Sequence, residues 1–348
     1  MARAAAPTSL EGFVGRSVTV STPATVANLG AGYDVLGLAL DLRNLVTARV
    51  TGLSGSGGSA VRCTIVGEGE KSLHADGRNA VAAAFYRGAA AAGLAGAERL
   101  AVELIMENRI PLARGLGSSA AATIAGLVAG AVLVDPARTG GGAHGPVTEH
   151  LPDDLLDALL EEGDAAEGHP DNAAAALFGG LVASGRYNGD LTARLIDVPD
   201  AAIFIVLVPD LELPTALMRA ALPAKVPLAD AAHNASRLAM GIAALESGDM
   251  NGFALLADDR IHQQYRAARY KALPALLSTA TKAGAVSACL AGAGSAVLAV
   301  VDGSARDGVQ VAERVVVALN DAAKAAKIGG AARRIDIDVD GARIEATP

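Results

Sequence analysis

The sequence has no tryptophan, and only five tyrosines and five phenylalanines occur among its 348 residues. Proteins that bind single-stranded nucleic acid stack bases on aromatic rings, so this scarcity argues against that class of partner. The formal net charge of −8 argues against binding to a phosphate backbone, because such binding needs a surplus of Lys and Arg. We therefore expect no nucleic-acid partner.

Cysteine is also scarce, since only Cys63 and Cys289 occur, far apart and without the spacing of a metal or redox motif. We interpret both as small core side chains in a reducing compartment. No apolar run reaches the roughly 18 residues of a membrane span. The N-terminal segment MARAAAPTSLEG lacks the apolar centre of a secretory signal. These absences predict a cytoplasmic protein without a membrane partner.

Apolar residues make up 51% of the chain and are mostly alanine, which indicates a well-buried core of small side chains. Segments rich in Val and Ile, such as AIFIVLVPD, predict strands, and segments such as SSAAATIAGLVAGAVL predict helices. Strands and helices are mixed without strict alternation, which favours an α+β fold. The length favours two domains. We predict a flexible leader over 1–15, a first domain over 16–195 and a second domain over 196–348.

The most informative stretch is IPLARGLGSSAAAT, Ile110–Thr123. Its glycines let backbone N–H groups approach an anion, the helix start adds unpaired donors, and serine hydroxyls suit phosphate or its Mg²⁺. The alternatives are a turn that serves only packing and a dinucleotide fingerprint of Gly115, Gly117 and Ala120 with Asp135. The fingerprint fits less well, because several residues separate the preceding strand from the glycines. A phosphate-binding loop other than Walker A is therefore predicted, since no Gly-Lys-Ser/Thr follows.

The segment PLARGLGSSAAAT resembles the ATP-binding motif P-x-x-x-G-L-G-S-S-A-A of the GHMP kinase superfamily. PATVANLGAGYDVLGLAL near the N-terminus and LAGAGSAVLAV near the C-terminus agree with that superfamily in order and position. Together with GHPDNAAAALFGG, these motifs are most similar to the homoserine kinase family. The resemblance covers nearly the whole chain.

The resemblance implies a two-domain GHMP kinase fold, with a ribosomal-S5-domain-2-like ATP-binding domain and a ferredoxin-like second domain around one active site. It also implies transfer of the γ-phosphoryl group of ATP, with Mg²⁺, to the side-chain hydroxyl of L-homoserine in threonine biosynthesis. A homodimer is implied as well.

By the same resemblance, Ser119 and Glu161 bind Mg²⁺. Glu161 is chosen because it lies eight residues before His169. Glu162 stays an alternative, because adjacent helical positions point in different directions. The implied ATP-binding residues are Pro111, Arg114, Gly115, Leu116, Gly117, Ser118, Ser119, Ala120 and Ala121.

The implied substrate carries an ammonium, a carboxylate and a hydroxyl, so its site needs an anion and a planar cation. Asp34 is the implied anion, although it could instead cap a following helix. Arg219 and Arg266 are candidates for binding the carboxylate, with Arg269 as an alternative to Arg266. The full set of implied substrate-binding residues is Asn28, Asp34, His169, Arg219, Arg266 and Gly292.

The candidate catalytic residues are Asn172, His169 and Thr215, with His169 in a positioning role. Whether Asp171 faces the substrate or caps the next helix stays open. The family is considered to lack a dedicated base, and phosphoryl transfer tolerates this because it depends mainly on positioning and charge stabilisation.

The third motif departs from the family pattern L-S-G-[AS]-G-P-T, because this chain reads LAGAGSA over residues 290–296. Gly292 and Gly294 are kept, but a hydroxyl and a proline are lost. Two alternatives therefore accompany the expected function: a GHMP kinase for another small alcohol, and a non-catalytic ligand sensor on the same fold.

Overall fold

A computed structural model of the chain describes residues 9–55, 61–135 and 144–346. Within these residues the chain forms two sheets with helices packed against them. The strands are β1 (Ser17–Ala27), β2 (Leu36–Leu53), β3 (Val61–Gly67), β4 (Leu100–Asn108), β5 (Gly145–Pro146), β6 (Leu181–Tyr187), β7 (Asp190–Ile196), β8 (Ala202–Val208), β9 (Ser287–Leu290), β10 (Val297–Asp302), β11 (Ala331–Ile335) and β12 (Arg343–Glu345). The helices are α1 (Ala80–Ala91), α2 (Ser118–Val134), α3 (Asp153–Glu167), α4 (Asp171–Phe178), α5 (Thr215–Arg219), α6 (Leu228–Glu246), α7 (Asn251–Ala257), α8 (Gln263–Arg266), α9 (Leu273–Lys282) and α10 (Gly308–Ala325).

The first sheet has the strand order β3-β4-β2-β1-β12-β5, and β6 joins it by pairing with β2 and β7. Its strands pair antiparallel except for β3 with β4. Helix α2 packs between this sheet and α1 and is buried on nearly all sides. Small residues make this possible: a Cβ on Gly130 would lie 1.9 Å from the carbonyl oxygen of Phe85 in α1. The alanine and glycine content thus serves close packing of helices.

The second sheet is antiparallel throughout, in the order β11-β8-β10-β9. Helices α9 and α10 pack against each other and against this sheet. Apolar side chains of both sheets, including Val26 and Leu38 from the first and Phe204 and Leu298 from the second, share one buried cluster. This shared core fixes the two sheets against each other and sets the cleft between them.

The predicted α+β class is confirmed, because antiparallel pairing dominates both sheets. The chain passes from the first sheet to the second between β7 and β8, while β12, inside the predicted second domain, pairs with β1. Of the predicted leader, residues 1–8 lie outside the described residues, and Leu10–Phe13 forms a 3₁₀ turn with Phe13 buried. None of the described helices is both long enough and apolar enough to cross a membrane.

Candidate active site

A cleft of about 690 Å³ lies between the two sheets, within the size range of small-molecule sites. Its walls come from the ends of β1 and β4, the start of α2, the α3–α4 junction, α5, α8 and the turn after β9. All three sequence motifs therefore contribute to one site.

The glycine loop forms the floor of this cleft and leads into α2. Gly117 has a left-handed φ of +65°, and a Cβ there would lie 1.8 Å from Thr25 Oγ1. The first helical hydrogen bond of α2 runs from Ala121 N to Gly117 O at 2.9 Å. The preceding N–H groups of Ser118, Ser119 and Ala120 have no helical acceptor, so they are available to an anion.

The predicted ATP-binding residues from Pro111 to Ala120 line the cleft. The side chains of Arg114 and Ala121 are directed to other parts of the protein. The Arg114 guanidinium donates to the carbonyls of Pro209 at 2.7 Å and Leu112 at 3.1 Å and pairs with Glu212. Ala121 is fully buried in the core and is the one residue of the nine that does not line the cleft.

The acidic partner of Ser119 is Glu167, which corrects the prediction of Glu161. Glu167 is the last residue of α3, and its Oε1 accepts from Ser119 Oγ at 2.8 Å and from Thr123 Oγ1 at 3.2 Å. Gly168 ends the helix with a left-handed φ of +79°, a common helix terminator. The last turn of α3 is therefore held beside the first turn of α2.

Glu161 and its alternative Glu162 both point away from the cleft. The Glu161 carboxylate accepts from Arg186 at 2.8 and 3.0 Å and from Leu191 N at 3.1 Å. Glu162 is bound by Arg87. The buried face of α3, made by residues such as Leu156 and Leu160, turns both carboxylates away from Ser119.

At the other end of the cleft, Asp34 and Arg219 form a two-pronged ion pair. Arg219 Nη2 lies 2.8 Å from Asp34 Oδ1, and Nη1 lies 3.2 Å from Oδ2 and 3.1 Å from the Tyr33 hydroxyl. Burial lowers the pKa of Arg219, but the hydrogen bond and charge of Asp34 outweigh it, so the pKa is raised. The chain after Asp34 is strand β2 rather than a helix, so Asp34 caps no helix.

Arg266 is the second arginine at this end of the cleft, and its side chain is almost fully buried, at 2% exposure. Its Nη1 donates to Gly292 O at 2.7 Å, and Asn28 Nδ2 donates to the same oxygen at 3.1 Å. Burial lowers the pKa of Arg266. Arg269 is exposed and does not line the cleft, so the geometry favours Arg266 over Arg269.

His169, Asp171 and Asn172 line the middle of the cleft. Asp171 Oδ1 lies 2.5 Å from His169 Nδ1 and accepts from Asn172 N at 2.7 Å, whereas its buried Oδ2 has no hydrogen-bond partner among the described residues. Asp171 thus faces the cleft while also occupying the first position of α4. Burial lowers the pKa of His169, but the hydrogen bond and charge of Asp171 outweigh it and raise that pKa.

The remaining predicted residues also lie at the cleft. Asn172 Oδ1 accepts from Thr25 Oγ1 at 2.7 Å, which leaves its amide nitrogen free to donate. Thr215 begins α5, is exposed, and makes no side-chain hydrogen bond among the described residues. Both therefore have polar atoms that a ligand can bind.

Sequence reasoning missed Glu167, Tyr33 and Thr25. Glu167 stands directly before Gly168 in the EGHPDN stretch, and Tyr33 directly before Asp34, so motif membership was a usable signal for both. Thr25 belongs to the N-terminal motif as well, but its contact with Asn172 joins residues 147 positions apart and could not be read from the sequence.

Comparison with known proteins agrees with this geometry. The sequence profile of the GHMP kinases N terminal domain matches residues 79–180, and that of the GHMP kinases C terminal domain matches residues 242–322. Together these matches cover more than half of the chain. The chain belongs to the GHMP kinase family.

Within that family, the chain is similar to curated homoserine kinases. The homoserine kinase of Streptomyces avermitilis is 36% identical over 95% of this chain and 97% of its own length. That of Moorella thermoacetica is 36% identical over 80% of this chain and 86% of its own length. The crystal structure of homoserine kinase from Cytophaga hutchinsonii is 26% identical, has a TM-score of 0.78, and covers 94% of this chain and 97% of that one.

Proposed function

We propose that the protein transfers the γ-phosphoryl group of ATP to the side-chain hydroxyl of L-homoserine, giving O-phospho-L-homoserine for threonine biosynthesis. One observation carries the proposal: a single cleft has an anion-binding helix start at one end and an aspartate with two arginines at the other. The names of the relatives agree with it.

The phosphate end of the cleft is suited to ATP. The free N–H groups of Ser118, Ser119 and Ala120 bind the phosphate oxygens, and the partial positive charge of the long helix α2 adds to them. Gly115 and Gly117 bring the backbone close to the ligand because they carry no side chain.

Ser119 and Glu167 would hold Mg²⁺ at this end. A hydroxyl and a carboxylate oxygen 2.8 Å apart are hard ligands of the kind this ion prefers, and two protein ligands are typical of nucleotide-bound Mg²⁺. When bound, the ion neutralises charge on the phosphates.

The substrate end matches a zwitterionic amino acid. In the structure the Asp34 carboxylate accepts two hydrogen bonds from the Arg219 guanidinium, so each group has the other as its partner. An amino acid offers replacements for both, because its ammonium can pair with Asp34 and its carboxylate with Arg219 and Arg266. A carboxylate oxygen of Asp171 lies within 4.8 Å of one of Asp34, so a second acidic group stands beside the ammonium.

The protein's own groups then catalyse mainly by position and charge. Asn172, held by Thr25, donates its amide hydrogen to the reacting oxygens. His169 contacts Asp171 in the middle of the cleft, where it serves as a positioning group. Thr215 closes the cleft from α5.

The test is ADP release with Mg-ATP, measured with L-homoserine, mevalonate, galactose and no acceptor. We expect turnover with L-homoserine alone, a product heavier by one phosphoryl group in mass spectrometry, and loss of turnover in Arg219→Ala. Turnover with a different acceptor would reject the substrate and keep the kinase. Homoserine binding without ADP release would favour the ligand-sensor alternative.

We further propose, on the family resemblance alone, a cytoplasmic homodimer. Light scattering at micromolar concentration tests the oligomer, and a monomer mass would reject it.

A further inference from the structure

A buried polar network lies behind Arg266 and has no part in the function proposed above. It consists of His262, Asp259 and the carbonyl of Gly30. The side chains of His262 and Asp259 are both fully buried. We propose that His262 is a positioning residue that fixes the orientation of the Arg266 guanidinium, so that its Nε–Nη2 edge faces the substrate carboxylate. This inference rests on the proposed amino-acid substrate.

The neighbours of His262 determine which ring nitrogen carries the proton. Nε2 lies 2.9 Å from Gly30 O, and a carbonyl can only accept, so Nε2 must donate. Nδ1 lies 3.1 Å from Arg266 Nη1, and a guanidinium can only donate, so Nδ1 must accept. Both contacts can be satisfied together only by the neutral Nε2–H tautomer.

The charges around the ring agree with a neutral histidine. Asp259 lies 3.6 Å from Nε2, but its carboxylate already accepts from Asn234 Nδ2 and from the backbone N–H groups of Ile261, His262 and Gln263. Burial and the Arg266 charge lower the pKa of His262 to about 4, against the opposing charges of Asp259 and Asp34. The ring is thus a neutral acceptor at pH 7.

The hydrogen bonds of Arg266 show which edge is left for a ligand. Nη1 donates twice, to Gly292 O at 2.7 Å and to His262 Nδ1. Nε is buried with no partner, and Nη2 makes no hydrogen bond to any described residue. The Nε–Nη2 edge is the pair of donors that a carboxylate binds bidentately. With both acceptors in place Nη1 is fixed, and the free edge cannot rotate away.

Two substitutions separate the two hydrogen bonds of His262. Asn places its side-chain oxygen near the position of Nδ1, so His262→Asn keeps an acceptor for Arg266 and loses the donor to Gly30. Gln extends its amide nitrogen toward the position of Nε2, so His262→Gln keeps that donor and loses the acceptor. The two variants serve as controls for each other, and thermal unfolding tests whether each of them is folded.

The experiment measures KM and kcat for L-homoserine and ATP, together with inhibition by 3-amino-1-propanol, which is homoserine without its carboxylate. We expect His262→Gln to raise the homoserine KM about tenfold or more, as for a lost hydrogen bond to a charged group. In the same variant kcat, the ATP KM and the Ki of 3-amino-1-propanol should stay within about twofold of the unaltered protein. The reason is that the lost carboxylate contact stabilises the bound substrate and the transition state equally. His262→Asn should have a nearly unchanged homoserine KM.

The outcomes distinguish this inference from the proposed function. The positioning role would be overturned if the homoserine KM rose equally in both variants. It would also be overturned if the KM of homoserine and the Ki of 3-amino-1-propanol rose equally in His262→Gln. Either result would leave the proposed kinase activity intact. Absence of homoserine turnover in the unaltered protein would overturn both. If either variant does not fold, ¹⁵N NMR of histidine-labelled protein gives the tautomer directly, since only six histidines need assignment. A protonated Nδ1 in His262 at pH 7 would overturn the inference.

Discussion

Replacing Glu167 by Gln should remove most of the activity and leave the fold intact. The amide keeps an oxygen that accepts from Ser119 Oγ and Thr123 Oγ1, so the contacts at 2.8 and 3.2 Å can persist. What is lost is one negative charge at the proposed metal site. For a site with only two protein ligands, we expect a loss of roughly 3 kcal/mol in transition-state stabilisation, or about 100-fold in kcat/KM.

Glu161→Gln is the matched control on the same helix. Its carboxylate pairs with Arg186, and the two side chains are 42% and 47% exposed. Exposed ion pairs contribute little to stability, and the amide oxygen still accepts from Leu191 N. We expect this variant to have kcat/KM within about twofold of the unaltered protein.

The assay is ADP release at saturating L-homoserine, with Mg²⁺ titrated at fixed ATP. Glu167→Gln should need a higher Mg²⁺ concentration for the half-maximal rate. The midpoint temperature of its thermal unfolding should change little. If Glu161→Gln were the variant that lost activity and Mg²⁺ dependence, the assignment of Glu167 would be refuted.

Three further predictions follow from the geometry. Gly117→Ala places a methyl group 1.8 Å from Thr25 Oγ1 and should abolish ATP binding. Gly96→Ala is the control: Gly96 has a similar φ of +75°, its nearest neighbour is at 3.6 Å, and the substitution should cost only about 1 kcal/mol of backbone strain. ATP titration and thermal unfolding check both variants. Arg219→Lys should raise the homoserine KM about tenfold without a comparable rise for ATP, because an ammonium cannot bind a carboxylate bidentately; steady-state kinetics would contradict this if both KM values rose together. As pH falls from 6.5 to about 4, the unfolded chain binds a proton at His262 that the folded protein does not bind. The free energy of unfolding should therefore fall by roughly 3 kcal/mol over this range. Urea unfolding of His262→Gln at several pH values should lack this part of the pH dependence.

The sequence determined the features that depend on neighbours along the chain. A glycine loop followed by Ser118 and an alanine run predicts a phosphate-binding helix start, because backbone conformation and free N–H groups are local properties. The same holds for the strand and helix pattern and for the α+β class. The acidic and basic side chains expected near an amino acid, Asp34 and Arg219, could be selected from their motifs.

Only the tertiary structure decided which side chains meet. Glu161 and Glu167 are six residues apart on α3, which is about 9 Å along the axis and about 120° around it. Packing of the apolar face of α3 against the core fixes which of them reaches Ser119, and several acidic residues on one helix leave that choice open in the sequence. The choice between Arg266 and Arg269 also depends on packing. Arg266 is buried beside Gly292, whereas Arg269 is exposed.

The position of the proton on His262 depends on residues that are even farther apart in the sequence. It depends on Gly30, 232 residues earlier in the chain, accepting from one nitrogen, while Arg266 donates to the other. Residue types determine what each group can donate or accept. The packing of distant segments determines which groups are close enough to do so, because hydrogen bonds act only over about 3 Å.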